Sequence, residues 1–216
     1  MKKFFKYELL KRPNDIILSL AVITLFFIPV FLIMFIIKLS SRGPIFHKSY
    51  RIGKSEKPFV MLKIRTMNYD APVRSFEFIK DPEKFYIRFG KTLRRLGIDE
   101  IPQLYNILKG DMSFVGPRPT LSDQIELIKL RQINNIYSVR PGLTGYAQIN
   151  GRCKLSLFSK VNFDKYYIEN MSLIFDMKIA FKTIPSILKE SKSLKNQDRV
   201  LLKIENIGVG DPGNLS

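Results

Sequence analysis

The sequence predicts a helix-rich α+β fold attached to a membrane by its N-terminal helix, and three features indicate this. The run from Ile16 to Ile37 holds no charge, and as a straight helix it would extend about 33 Å, against about 30 Å for the hydrocarbon core of a bilayer. Two short stretches rich in β-branched and aromatic residues, 45–52 and 58–64, flank a turn and predict a small β-hairpin. Helical patterns dominate the remainder of the chain.

The first predicted element is the membrane helix, and Pro29 lies near its middle. A proline inside a helix removes one backbone hydrogen bond and bends the helix. Two geometries follow: a helix that crosses the bilayer once, or a re-entrant helix broken at Pro29 that returns to the same face. Positive residues are retained on the cytoplasmic side and both flanks are basic, so we favour the re-entrant form. The flanking basic residues are Lys2, Lys3, Lys6, Lys11 and Arg12 before the run, and Lys38, Arg42, Lys48 and Arg51 after it.

The later elements are predicted from periodicity and from turn residues. Apolar residues spaced three and four apart predict a helix over Ile101–Leu108, which Gly110 ends. Ser172 is a candidate N-cap for a helix over Leu173–Lys189. The other predicted elements are a loop over Asn68–Lys84, a loop over Ser113–Pro119, a helix over Leu121–Tyr137, a Gly/Pro-rich loop over Arg140–Gly151 and a helix over Lys160–Asn170.

The predicted helix over Leu173–Lys189 carries an apolar stripe and several lysines. Such a helix either lies on the membrane surface with its lysines against anionic headgroups, or packs its apolar stripe in a core. The chain therefore divides into a re-entrant membrane helix at 1–40, a domain on the cytoplasmic face at 41–190, and a polar, mobile tail at 191–216. The apolar stripe consists of Ile174, Met177, Phe181, Ile184 and Leu188.

The composition limits the chemistry that this chain can perform. It carries 36 Lys and Arg against 19 Asp and Glu, a net charge of +17, which predicts an anionic partner such as lipid headgroups, phosphorylated small molecules or nucleic acid. With Cys153 as its single cysteine, the sequence excludes a disulfide framework and a cysteine zinc site. The single histidine, His47, argues against histidine catalysis. We therefore expect chemistry from carboxylates, hydroxyls, lysine and arginine.

Two adjacent acids, Asp99 and Glu100, precede the predicted helix over Ile101–Leu108. One interpretation is structural: Asp99 caps the helix, and Glu100 is a first-turn acid stabilised by the helix dipole. The other is chemical, because the same positive end attracts phosphate, and an ionised aspartate can attack phosphorus once the charge of the phosphate is neutralised. Mg²⁺ and arginine side chains are the usual neutralising groups.

Basic residues beside glycine and proline turns supply suitable cations. Each alone is most simply a solvated surface charge, but together they indicate a surface that handles phosphate. An arginine flanked by prolines, such as Arg118, loses little entropy when its guanidinium binds phosphate through two parallel hydrogen bonds. The candidates are Lys63, Arg65, Arg94, Arg95, Arg118, Arg140 and Arg152.

Three sequence motifs resemble the bacterial sugar transferase family, the monotopic phosphoglycosyl transferases of the small, core-only type. They are Lys-Ile-Arg-Thr-Met at 63–67, Asp-Glu-Ile-Pro-Gln with Gly-Asp-Met-Ser-Phe-Val-Gly-Pro-Arg-Pro at 99–119, and Arg-Pro-Gly-Leu-Thr-Gly-Tyr-Ala-Gln-Ile-Asn-Gly-Arg at 140–152. The resemblance extends from about residue 11 to about residue 189. It implies transfer of a sugar-1-phosphate from a UDP-sugar to polyprenyl (undecaprenyl) phosphate with release of UMP, dependence on Mg²⁺, and a re-entrant helix broken at a Ser-Pro pair. Here Ile28 stands before Pro29 in place of that serine.

The resemblance also implies roles for individual residues. Asp99 would be the nucleophile that carries the phosphosugar and would contact Mg²⁺, and Glu100 would assist by handling the proton of the incoming lipid phosphate. The implied contacts to substrate phosphates fall on Lys63, Arg94, Arg118 and Arg152, and Arg140 lies in a matching motif. Lys11, Arg12 and Asp15 match the basic start of the family's membrane helix.

Two other classes of function compete with this one. A membrane-attached nucleic-acid binder would account for the net charge but gives no reason for the adjacent acids, so we expect no nucleic-acid partner. A non-catalytic relative that assists glycan assembly is the alternative, and it would tolerate Asp99→Asn, whereas the enzyme would lose UMP release. The enzyme is expected in the inner (cytoplasmic) membrane with its catalytic domain on the cytoplasmic face. Its expected partners are a UDP-sugar, polyprenyl phosphate, anionic membrane lipid and downstream glycosyltransferases.

Overall fold

The structure is a computed structural model that describes residues 2–71, 82–151 and 155–186. It confirms a helix-rich α+β fold with one long apolar helix at the N-terminus. The predicted tail at 191–216 lies outside the described residues, as does most of the predicted loop over 68–84. The helices are α1 (Lys2–Ser40), α2 (Gly90–Arg95), α3 (Gln103–Lys109), α4 (Ile125–Ile133), α5 (Tyr146–Ile149), α6 (Leu157–Glu169) and α7 (residues 173–186).

The described strands form two small sheets. The predicted hairpin is confirmed as β1 and β2, which pair antiparallel with His47 opposite Lys63, and β4 adds to the free edge of β1. The second sheet pairs β3 parallel to β5, so the prediction that both segments are entirely loop was wrong. Backbone hydrogen bonds to a distant strand order these segments, and neither is long enough to show an alternating pattern. The strands are β1 (Phe46–Ile52), β2 (Pro58–Ile64), β3 (Ser113–Val115), β4 (Thr120–Leu121) and β5 (Gly142–Thr144).

The long helix α1 lies against the rest of the fold along one side and exposes apolar residues on the other. Within the described ranges, the one helix long and apolar enough to cross a membrane is Tyr7–Ser40. Pro13 and Pro29 both lie inside α1, which is assigned as one continuous helix, and the re-entrant geometry at Pro29 stays a prediction. The most exposed apolar side chains of α1 include Leu9, Ile17, Leu25, Phe27, Ile28, Phe31, Phe35 and Leu39.

Polar contacts fix the N-terminal half of α1 to the domain. Lys11 forms a buried ion pair with Asp176 of α7, and the hydroxyl of Tyr7 donates a hydrogen bond to the same carboxylate at 2.6 Å. Arg12 donates to the carbonyl of Leu108 at 2.7 Å, near the C-terminal end of α3. Lys11 and Arg12 precede the apolar run, and both also bind other parts of the protein. They are therefore not only the basic flank of a membrane helix.

Two hydrophobic clusters form the core beneath the candidate site. One joins β2 to α3 through Met61, Leu104 and Ile107, and Val22 and Ile23 of α1 pack against it. The other joins β2 to α2, with Ile37 of α1 fully inside it. Because α1 contributes side chains between residues 22 and 37 to both clusters, one side of the apolar helix packs against the domain's core. The buried members of the second cluster are Ile37, Ile64, Ile87 and Leu93.

The C-terminal helices α6 and α7 pack against the β3–β5 sheet. The predicted N-cap of α7 is confirmed, since Ser172 Oγ accepts a hydrogen bond from the backbone N–H of Phe175 at 3.2 Å. Buried Ile179 anchors α7 in the core through the face opposite to the predicted stripe. Ile174, Met177, Phe181 and Ile184 are all exposed, so the described part of the apolar stripe faces outward.

Candidate active site

Asp99 and Glu100 lie in a 3₁₀ turn, Ile98–Glu100, between α2 and α3. The turn follows Gly97, whose φ of 71° is a left-handed conformation that glycine adopts without steric cost. The side chain of Asp99 is buried, and that of Glu100 is half-buried. Two adjacent acids are thus held in fixed and different surroundings.

Glu100 is bound by two of the predicted cations. Its Oε1 atom lies 2.6 Å from Nζ of Lys63 on β2 and 2.9 Å from a guanidinium nitrogen of Arg118. Burial alone raises the pKa of Glu100, but the charges of Lys63 and Arg118 outweigh burial and hold that pKa well below its usual value. Glu100 is therefore ionised at any physiological pH and keeps Lys63 and Arg118 beside the turn.

Asp99 has the opposite environment. Its Oδ1 atom is buried and accepts no hydrogen bond from any described residue. Burial raises the pKa of Asp99 to about 6; the charge of Lys63 opposes this rise, and the neighbouring charge of Glu100 adds to it. A buried carboxylate oxygen without a hydrogen-bond donor is poorly solvated, which favours its reaction with an electrophile or its coordination of a cation.

The interpretation of Asp99 as a helix cap was wrong. The helix α3 begins at Gln103, and its N-cap position is Pro102, with no capping bond from any side chain. Pro102 lacks a backbone N–H and fixes φ, so the chain enters α3 through the proline and the dyad stays in the preceding turn. Gly110 ends α3 in a left-handed conformation, as predicted.

Arg94 and Arg118 approach the dyad from two different segments. Arg94 lies in the last turn of α2, and its positive charge acts to lower the pKa of Asp99, as does that of Arg118. Arg118 lies in the loop between β3 and β4, with its side chain about half exposed. The structure thus brings together Lys63, Arg94 and Arg118 around Asp99 and Glu100, the grouping that the family resemblance implied.

Sequence reasoning missed Arg131 of α4, which supports the loop that carries Arg118. Arg131 is buried, and it donates hydrogen bonds to the carbonyl of Arg118 at 2.5 Å and to Oγ1 of Thr120 at 2.6 Å. Its other terminal nitrogen pairs with the buried carboxylate of Asp164 on α6 at 2.6 Å. The sequence carries no signal for this role, since Arg131 reads as one more basic residue of an amphipathic helix.

One predicted substrate contact, Arg140, binds partners other than the dyad. Arg140 donates to the carbonyl of Gly110 at 3.0 Å and pairs with Glu8 of α1 at 2.8 Å. Its contacts join α1 to the end of α3, and a contact to substrate stays a prediction. Arg152 lies outside the described residues.

The surroundings of Asp99 fit a magnesium ion. Mg²⁺ prefers oxygen ligands, and in phosphate-handling sites it takes one or two carboxylates together with substrate phosphates and water. Asp99 offers a buried carboxylate oxygen without a partner among the described residues, whereas Glu100 is already paired with two cations. No cluster of three or more acidic, histidine or cysteine side chains lies within the described ranges, so a substrate phosphate would have to complete the ligands.

The chain matches a known protein family over most of its length. The profile of the family described as "Bacterial sugar transferase" matches residues 6–190. The chain is 40% identical over 194 residues to "Exopolysaccharide production protein ExoY" of Sinorhizobium fredii, which covers 82% of this chain and 84% of that protein.

Two further relatives have names that state an activity. The chain is 38% identical over 189 residues to the "UDP-N-acetylgalactosamine-undecaprenyl-phosphate N-acetylgalactosaminephosphotransferase" of Aeromonas hydrophila, covering 84% of this chain and 44% of that longer protein. It is 36% identical over 189 residues to the "UDP-glucose:undecaprenyl-phosphate glucose-1-phosphate transferase" of Caulobacter vibrioides, covering 84% of this chain and 70% of that protein.

Proposed function

The chain belongs to the bacterial sugar transferase family, and we propose that it transfers a sugar-1-phosphate from a UDP-sugar to polyprenyl (undecaprenyl) phosphate, releasing UMP. The reaction passes through a phosphosugar bound covalently to Asp99. The proposal is carried by one observation: Asp99 has a buried oxygen with no hydrogen-bond partner among the described residues, and its neighbour Glu100 fixes two cations beside it. The names of the relatives support the acceptor and the class of donor.

In the first step, a carboxylate oxygen of Asp99 attacks the phosphorus that bears the sugar. The bond from this phosphorus to the bridging oxygen breaks, and UMP leaves with the electron pair. Lys63, Arg94 and Arg118 stabilise the charge that develops on the phosphate oxygens and on the leaving UMP. Mg²⁺ held by Asp99 and the diphosphate would supply further neutralisation of that charge.

In the second step, an oxygen of the lipid phosphate attacks the same phosphorus, and Asp99 leaves as a free carboxylate. Each step exchanges one phosphorus–oxygen bond for another, so no redox partner is needed. The resemblance to the family implied that Glu100 handles a proton. A carboxylate held ionised by two cations is, however, a weak base. Its contacts favour a positioning role, in which it holds Lys63 and Arg118 beside the reacting phosphorus.

The position of α1 supports a monotopic attachment in which the helix does not cross the bilayer. A crossing helix would have to leave the domain within the apolar run, yet Ile23, Ile33 and Ile37 pack against the core. The exposed apolar face of α1 would enter one leaflet, bent at Pro29, and the outward-facing stripe of α7 would lie in the headgroup region. This arrangement would place the dyad at the surface of the cytoplasmic leaflet, where a dissolved donor and a lipid acceptor meet.

Incubation of the full chain with Mg²⁺ and a panel of UDP-sugars, without acceptor, tests the covalent step. We expect the mass of one phosphosugar on the peptide that contains Asp99, with UMP released in equal amount, and neither product from Asp99→Asn. Asp70→Asn, which changes an exposed aspartate, is the matched control and should behave as the wild type. Turnover with acceptor but no adduct would point to direct transfer, and full activity of Asp99→Asn would contradict the proposal.

A further inference from the structure

An open apolar groove of about 360 Å³ lies between α1 and α3, beside the candidate active site. Its lining side chains are aliphatic or aromatic, or proline, with no charged group among them. Its walls include Val30 and Met34 of α1, Leu62 of β2, and Ile101, Pro102 and Tyr105 at the start of α3.

The groove begins next to the catalytic turn. Ile101 and Pro102 directly follow Glu100, and Leu62 directly precedes Lys63, whose amino group binds Glu100. Neighbouring Cα atoms are about 3.8 Å apart, so the groove wall begins one residue after Glu100 along the catalytic turn. Successive side chains of a strand alternate, so Leu62 lines the groove from the face of β2 opposite to that of Lys63. A ligand that spans both places needs an anionic head and an apolar body.

One wall of the groove is the membrane helix itself. Val30 and Met34 face the groove, while Phe31 and Phe35 of the same turns are exposed on the outer side of α1. A chain leaving the groove past α1 would therefore pass directly into lipid. A sugar or a uridine would lose the hydrogen bonds of its hydroxyl and imide groups in such a groove without gaining others, so neither fits it.

We infer that this groove, the acceptor groove, binds the prenyl units nearest to the phosphate of the polyprenyl acceptor. This inference rests on the proposed function, because it takes its acceptor from there. Its volume is within the range of ligand pockets but small for a whole polyprenyl chain, so the remaining units stay in the bilayer. The groove thereby directs the lipid phosphate towards Asp99 and does not contact the nucleotide sugar.

The first test compares Tyr105→Asp with Tyr50→Asp in the full chain, reconstituted in lipid nanodiscs. Both tyrosines are largely exposed, but only Tyr105 lines the groove. For Tyr105→Asp we expect the KM for undecaprenyl phosphate to rise at least about tenfold, since loss of 1.4 kcal/mol of apolar binding has that effect. The adduct from the UDP-sugar alone should form at the wild-type rate. An equal rise in KM for both variants, or no rise for Tyr105→Asp, would overturn the inference.

A second measurement does not depend on turnover or on a substituted protein. A polyprenyl phosphate with a photoreactive diazirine on its first prenyl units should crosslink to peptides containing residues 30–34 or 101–105. Undecaprenyl phosphate should compete with the probe, and phosphatidylglycerol should not. Crosslinks elsewhere on the chain, or equal competition by both lipids, would overturn the groove assignment. If wild-type protein forms crosslinks here but transfers no phosphosugar, the proposed function fails and the lipid site stands.

Discussion

Asp99 and Glu100 are chemically alike and adjacent, so only their surroundings can give them different functions. Glu100 faces Lys63 and Arg118 and is held ionised. Asp99 is buried, its Oδ1 atom has no hydrogen-bond partner in the part of the chain that the structure describes, and burial raises its pKa to about 6. Keeping Asp99 ionised at neutral pH costs roughly a few kcal/mol of folding stability. The loss of folding stability is greatest above pH about 6, where Asp99 is ionised in the folded protein. It vanishes as the pH falls to the ordinary pKa of aspartate, because Asp99 is then protonated in the folded protein and increasingly in the unfolded chain.

The first prediction concerns the pH dependence of the covalent step. Asp99 attacks only as the carboxylate, so kcat/KM for the UDP-sugar should rise with pH through about 6, the pKa to which burial raises the carboxyl. Lys63→Met removes the charge that most strongly lowers the pKa of Asp99, so the inflection should move to higher pH. The measurement is the rate of UMP release at limiting donor from pH 4.5 to 8.5.

Arg88→Met is the control for this prediction, because Arg88 is exposed and its guanidinium lies over the ring of Phe89. It should leave the inflection in place. A wild-type profile that is flat between pH 5 and 8, or a Lys63→Met profile shifted to lower pH, would contradict the assignment of Asp99 as the titrating nucleophile.

The residues of the site were predictable where a motif carried them, and not elsewhere. The motifs supplied Asp99, Glu100, Lys63 and Arg118, the family resemblance added Arg94, and the fold brings these five together. The sequence could not assign partners to the acids. The sequence also allowed Asp99 to be a helix cap. A helix that begins before Pro102 and a separate turn that ends before Pro102 would show the same residue pattern, so the sequence could not distinguish them.

At the scale of elements, the loop that carries Arg118 is held by its neighbours. Gly116 lies so close to β5 that a Cβ atom there would approach the carbonyl oxygen of Arg140 to 2.5 Å. On the other side, Arg131 connects the carbonyl of Arg118 to Asp164 of α6. The glycine and proline motifs therefore shape a rigid support for one guanidinium, which explains their residue types without any contact to substrate.

The second prediction is that Arg131 is a positioning residue. Arg131→Lys keeps a positive charge beside Asp164 but cannot also reach both the carbonyl of Arg118 and the hydroxyl of Thr120 through a planar fork. We expect the KM for the UDP-sugar to rise about tenfold or more, because small displacements of a substrate-binding group have large effects. Steady-state UMP release measures this effect.

The same variant should lower the unfolding temperature, because buried hydrogen bonds to Arg118 and Thr120 are lost. It should leave the KM for undecaprenyl phosphate nearly unchanged. Arg88→Lys is the matched control, because Arg88 is exposed and lies just before α2. It should leave both KM values unchanged. If Arg131→Lys raises the KM for both substrates equally, Arg131 supports only the fold and the positioning role is wrong.

The elements that the sequence predicted well are those stabilised by their own pattern. The hairpin β1–β2 and the Gly110 end of α3 depend on local residues, and both are confirmed. The short strands β3 and β5 depend on each other across the intervening α4, so local patterns could not show them. Their parallel pairing places the Arg118 loop, which means that the least predictable element positions part of the site.

At the scale of the whole molecule, the membrane helix and the catalytic turn form one unit. The core clusters beneath the dyad include side chains of α1, and the basic start of α1 is fixed to α3 and α7 by Arg12 and Lys11. In the proposed attachment, anchoring at both ends would keep the dyad at a constant depth relative to the lipid surface. A soluble donor and a lipid acceptor could then use the same aspartate in turn.

The third prediction is that the segments on both sides of the apolar run Ile16–Ile37 lie on the cytoplasmic side of the membrane. Single cysteines at Asn14 and at Tyr50, introduced into a chain with Cys153→Ser, should react with a membrane-impermeant maleimide in inside-out vesicles and stay unreacted in right-side-out vesicles. Both positions are exposed, and permeabilised vesicles give the full extent of labelling. A straight crossing would separate the two labels, but it would also have to detach Lys11 from Asp176 and Ile37 from its buried cluster. Breaking such a buried ion pair alone costs about 3–5 kcal/mol, so labelling of Asn14→Cys from the opposite side would show that the packing of α1 described here is not the one adopted in the membrane.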